Sequence, residues 1–151
     1  MRPDLIHGST KAWEAVVSTA FRQPFADSHC KDLHGYSLRF LATFEARELD
    51  ANNWVVDFGA FKSFKGWLEH TFDHTTMIAE DDPQLAYFQE GHKRGVLNLR
   101  VVKRVGCEAF ALLVFEHLEC WLKEKGYSPR VELMRVDVHE HALNSAYVRR
   151  R

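Results

Sequence analysis

The chain has 151 residues, 46% of them hydrophobic, with eleven Phe and four Trp and a formal net charge of −1. That is the length of one domain, 1–151, whose core needs no disulfide staples. The charge balance offers no basic field for nucleic acid, and no run approaches the roughly 18 apolar residues of a membrane span. Three cysteines, Cys30, Cys107 and Cys120, are an odd number at spacings that match no disulfide framework, which points to a reducing compartment. Asp4, His7, Lys11 and Glu14 break up any apolar stretch of signal-peptide type. A soluble, cytoplasmic protein is expected, with Arg149, Arg150 and Arg151 as a solvated tail.

Residues 12–22 are rich in β-branched and aromatic side chains and predict a strand. Residues 36–47 predict a second, because Leu38, Phe40, Ala42 and Phe44 recur with the period of two of a half-buried strand. Pro24 and Gly35 punctuate the connection. After a turn at residues 50–53, Asp57 suits a helix N-cap, and Phe58, Phe61, Phe64, Leu68 and Phe72 fall at helical spacing over 58–72. Residues 79–95 are polar, with Pro83 able to start a short helix. A short strand is expected at 96–104 and a second long helix at 108–125, where Phe110, Leu113, Val114, His117, Leu118, Trp121 and Leu122 share a face and Gly126 caps the end. Strands at 131–139 and 145–148 close the chain. The order predicts an α+β fold: a four-stranded antiparallel sheet with two long helices on one face and edges that oligomerisation can cover.

Two clusters carry chemistry. His29, Cys30 and His34 place two imidazoles and a thiol within six residues of a presumed turn, a composition suited to a zinc ion beside an acid/base thiol. His34 and Tyr36, two apart on a strand, face one side. Farther on, Asp73 adjoins His74, and an aspartate so placed can fix an imidazole's tautomer and raise its basicity. Together the clusters argue for an enzyme.

The ordered pieces Phe25-Ala26-Asp27-Ser28-His29, Cys30-Lys31-Asp32-Leu33-His34-Gly35-Tyr36, Val56-Asp57-Phe58, Asp73-His74, Gly106-Cys107-Glu108 and Val138-His139-Glu140 resemble the 6-pyruvoyltetrahydropterin synthase/6-carboxytetrahydropterin synthase family over residues 12–148. The resemblance implies the tunnelling fold, in which ββααββ subunits join their sheets into a barrel as a homotrimer or homohexamer, with active sites between subunits. It implies Zn2+ held by three residues, here His29, His34 and Tyr36. Cys30 and the pair Asp73 and His74 would be catalytic, Glu140 would anchor the pterin ring, and Glu108 would support it. The activity implied is that of a 6-carboxytetrahydropterin synthase, which converts 7,8-dihydroneopterin triphosphate with release of acetaldehyde and triphosphate on the way to 7-deazaguanine nucleosides such as queuosine. A 6-pyruvoyltetrahydropterin synthase and a non-catalytic pterin- or purine-binding paralogue are the alternatives.

The chain departs from the family pattern in the metal site. The usual loop between the first zinc histidine and the cysteine is missing, so His29 adjoins Cys30, and Tyr36 stands where the third histidine belongs. Cys30, His70 and His141 are further candidates for the third ligand. Cys107 and Cys120 read as helix-packing residues, and Arg39, Lys62, Lys65, Lys103 and Arg104 as cations available to a triphosphate.

Overall fold

The computed structural model describes residues 4–151, without the side chains of residues 14–16. Among the described residues six strands form one mixed sheet: β1 (His7–Phe21), β2 (His34–Ala46), β3 (Thr75–Ala79), β4 (Leu99–Val102), β5 (Val131–His139) and β6 (Ser145–Arg149), in the order β4-β3-β1-β2-β5-β6. The four expected antiparallel strands are its centre and one flank. Pairing β3 and β4 parallel to β1 extends the other flank. The sheet is thus wider than the four strands expected and is not purely antiparallel.

On β2 the period of two is realised. Leu38, Phe40, Ala42, Phe44 and Ala46 are buried, and the residues between them are partly or fully exposed. The buried face of β1 carries Trp13, Val17, Thr19 and Phe21, in a register with β2 that shifts between Trp13 and Val17. Over this face lie α1 (Lys62–Phe72) and α3 (Cys107–Glu124), while α2 (Leu85–Lys93) bridges β3 and β4. Aromatic contacts tie the layers together. Phe40 meets Phe72 at 4.8 Å, Phe21 meets Phe110 at 5.2 Å, and Phe61 stacks on Trp121 at 4.5 Å. Each buried ring of this kind contributes about 3–5 kcal/mol by the usual cost of truncation to Ala.

The first long helix begins differently from the expectation. Asp57 accepts the Gly59 N–H at 2.8 Å and caps a 3-10 turn, Phe58–Phe61, and only then does α1 start. Gly126, at φ 75°, follows α3 as expected. No helix among the described residues is long and apolar enough to cross a membrane.

Candidate functional site

The end of β1, the start of β2, the start of α3 and the turn after β5 meet at one end of the sheet. Strand pairing sets Phe21 opposite His34, Ala20 opposite Gly35 and Thr19 opposite Tyr36. Gly35 is required there, because a Cβ would stand 2.7 Å from the Thr19 carbonyl oxygen. The close approach aims three rings at one point. Phe21 and His34 are 5.1 Å apart between ring centroids, Phe21 and Tyr36 5.9 Å, and His34 and Tyr36 5.5 Å. The His34 Nδ1–H donates to the Asp32 carbonyl at 2.8 Å, which leaves Nε2 as the nitrogen turned to a ligand.

The thiol is near by. A 3-10 turn, His29–Lys31, is capped by Ser28, whose hydroxyl accepts the Cys30 N–H at 3.3 Å. Gln23 holds this turn to the rest of the site. Its N–H donates to the Cys30 carbonyl at 2.8 Å, and its side-chain amide donates to the Val105 carbonyl at 3.0 Å. Gly106 follows at φ 111°, and a Cβ there would meet the Gln23 amide at 2.4 Å. Gln23 is a positioning residue that sequence reasoning missed, and Gly106, quoted there only as part of a matched piece, is a second. A lone Gln and a Gly before a helix carry no chemical signal of their own.

Glu140 follows β5 and is fixed by its N–H, which donates to the Asn144 carbonyl at 3.1 Å. Its carboxylate faces the Cys107 thiol. Burial, then Glu140, then Glu108 push that thiol far above the ordinary cysteine range. Cys107, read from sequence as a packing residue, is therefore buried and also a partner of the pterin-anchor candidate. Burial first, and then the charges of Glu140, Cys30 and Cys107, raise the Tyr36 phenol as well. Cys30, Tyr36, Cys107 and Glu140 thus share one electrostatic neighbourhood. Glu108 is exposed and lines a separate cleft of about 600 Å³ with Lys103, Arg104 and Leu112.

Asp73 and His74 lie elsewhere, at the junction of α1 and β3. Asp73 ends α1, and its Oδ1 accepts the Ser18 N–H at 3.1 Å and the His74 Nδ1–H at 2.9 Å. Those contacts, the Ser18 amide first, hold the Asp73 carboxyl below the usual range. The expected pair is formed, through a turn in which His74 takes φ 51°. His74 is exposed, and among the described residues no hydrogen bond joins it to Cys30.

The metal set is where expectation and geometry part. The segment matched to the end of the first strand, residues 25–29, lies beyond β1, which stops at Phe21. His29 sits exposed on the 3-10 turn. Among the described residues no three His, Cys, Asp or Glu side chains converge in a metal-holding group, so His29, Cys30 and His34 do not form one. The other histidines do not repair the set. His141 is 6.2 Å from the Tyr36 ring, but its Nδ1 accepts the Leu143 N–H and its Nε2 meets the Asn144 amide. His70 is exposed, with its carbonyl bonded to Arg100. The residues present do not fit a three-ligand zinc site.

A family model described as 6-pyruvoyl tetrahydropterin synthase matches residues 10–151. The chain belongs to that family. Among curated relatives of the pterin synthases, a 6-carboxy-5,6,7,8-tetrahydropterin synthase of Rickettsia bellii is 34% identical over 64 residues, which cover 42% of this chain and 46% of the relative. The match thus spans about half the length of that relative. In solved structures the fold recurs in an uncharacterized protein of Wolinella succinogenes, with a TM-score of 0.84, 20% identity and coverage of 98% of this chain and all of that one. It recurs again in the 6-pyruvoyl tetrahydropterin synthase of Caenorhabditis elegans, with a TM-score of 0.66, 17% identity and full coverage of both chains. At these identities the structural likeness establishes the tunnelling fold alone, and it agrees with the α+β expectation.

Proposed function

We propose that this pterin synthase family member is a lyase of the 6-carboxytetrahydropterin synthase type, acting on 7,8-dihydroneopterin triphosphate. The observation that carries the reading is the Glu140 carboxylate, held on a fixed turn beside Cys107, Cys30 and Tyr36 at the mouth of the sheet. A carboxylate so placed accepts the paired N–H donors of a 2-amino-4-oxopyrimidine edge, the recognition edge of a pterin. The name of the Rickettsia relative supports the carboxy product. Cleavage of the side chain requires proton transfers as triphosphate departs with its C–O electron pair. Cys30 stands next to the ring site, and the Asp73-oriented imidazole of His74 is the second group suited to move a proton. No step is assigned to a metal, since the residues do not compose a zinc set.

One observation favours a second reading. Phe21 faces His34 and Tyr36 where donor atoms would be needed, which suits a paralogue that binds a pterin or a purine without turnover. Incubation with 7,8-dihydroneopterin triphosphate decides among the readings. Acetaldehyde with a carboxypterin is the expected result. A pyruvoyl product without acetaldehyde would assign the other synthase activity, and tight binding without turnover would establish the binding paralogue.

A further inference from the structure

We infer that the site retains no zinc ion, because the ring triangle Phe21–His34–Tyr36 fills the position to which the β1–β2 register directs three side chains. The register leaves little freedom. Phe21 and His34 are directly opposed, Tyr36 lies two residues along the same face, and the tight contact of Gly35 with the Thr19 carbonyl fixes how β1 and β2 approach. Phe21 is only 2% exposed and is backed edge-on by Phe110 at 5.2 Å, so it is anchored in the core and cannot swing aside to admit another ligand. A phenyl ring has no lone pair to donate. The triangle therefore offers one imidazole nitrogen and one phenol, against the three protein donors and open position that a catalytic zinc takes. The consequence is that a ligand's planar face or carbon side chain packs against rings at this point. Its affinity is independent of chelators.

The test needs no turnover. Protein purified without chelator and dialysed against zinc-containing and then zinc-free buffer is assayed for metal content, and its melting temperature is compared in zinc and in EDTA. Well below one equivalent of zinc, with an unchanged melting temperature, is expected. One equivalent that survives dialysis, and is lost in His34→Ala or His29→Ala, overturns the inference. The converse arm restores donors. The double variant Phe21→His/Tyr36→His is expected to take up one zinc per chain and to melt higher with zinc than with EDTA. A folded double variant that takes up none would show that these three positions do not define a metal point. Should that variant fail to fold, the wild-type stoichiometry still decides. Neopterin binding measured with and without EDTA adds a readout that rests on the proposed pterin site. If zinc is absent and no pterin binds, the functional reading fails while this inference stands.

Discussion

At the scale of single residues, two positions separate architecture from recognition. Gly35 touches no ligand, yet it lets β2 approach β1 closely enough to aim His34 and Tyr36 at Phe21. Gly35→Ala forces a Cβ against a backbone carbonyl that cannot rotate away, so a loss of about 1–3 kcal/mol in denaturant unfolding is expected. Wild-type stability in that variant would mean that the strands can part without cost. Glu140 is the opposite case. Glu140→Gln keeps the shape and removes the charge, so on the proposed reading pterin affinity falls by about 1.5–3 kcal/mol, roughly 10- to 160-fold. The same substitution relieves one of the charges that raise the Cys107 thiol, so that thiol titrates lower while burial still holds it above the ordinary range. Calorimetry reads the first effect and thiol-reagent kinetics against pH the second. Unchanged pterin affinity would remove Glu140 from recognition.

At the scale of elements, the packing of α1 against α3 carries a pH dependence. His117 on α3 lies flat on Trp67 of α1, with 3.7 Å between centroids and 6° between planes, and its ring is also 5.9 Å from Phe64. Burial lowers the His117 pKa, and Glu124 opposes this only in part. The fold therefore prefers the neutral ring. As pH falls through the ordinary histidine range the unfolded chain takes up a proton before the folded one, so this contribution is complete above that range and is lost as pH drops through the lowered folded value. Denaturant midpoints at pH 7.5 and 5 should differ less in His117→Gln than in the wild type. An equal difference would show that the imidazole is not the titrating group.

These helices were legible in the sequence because each buries one continuous stripe, and β2 because it is polar on one side. β3 was not. All five residues of Thr75–Ala79 are buried, so the segment has no period to read, and its pairing with β1 joins residues far apart in the chain. The 3-10 turn at Phe58–Phe61 was merged with α1 because their apolar spacings run together. Of the proposed site, Cys30 and the Asp73–His74 pair stand out in the sequence because a thiol and an imidazole announce their chemistry, whereas Glu140 stands out only through the family resemblance. Phe21 does not, because a phenylalanine at a strand end announces only packing. Its meaning came from standing opposite His34.

At the scale of the whole molecule, the sheet separates the groups that the proposed reaction needs together. β3 and β5 are three strand spacings apart in the order β4-β3-β1-β2-β5-β6, about 14 Å at roughly 4.8 Å per strand. His74, just before β3, is thus remote from Glu140, just after β5, and it faces solvent. Both outer strands, β4 and β6, end the sheet with unpaired edges and carry exposed Val101 and Tyr147. Joining copies edge to edge would cover them, and a site shared between subunits, as the family resemblance implies, would take His74 from one chain and Cys30 and Glu140 from another. Co-expression of Cys30→Ala with His74→Ala tests this arrangement. If each site takes its thiol and its imidazole from different chains, random mixing leaves roughly a quarter of sites with both intact and restores activity to about that fraction, although each variant alone is inactive. If both groups come from one chain, no site in the mixture is whole and none recovers. Size-exclusion chromatography with light scattering on the same samples shows whether mixed oligomers have formed, so a silent mixture of properly assembled variants would count against a shared site.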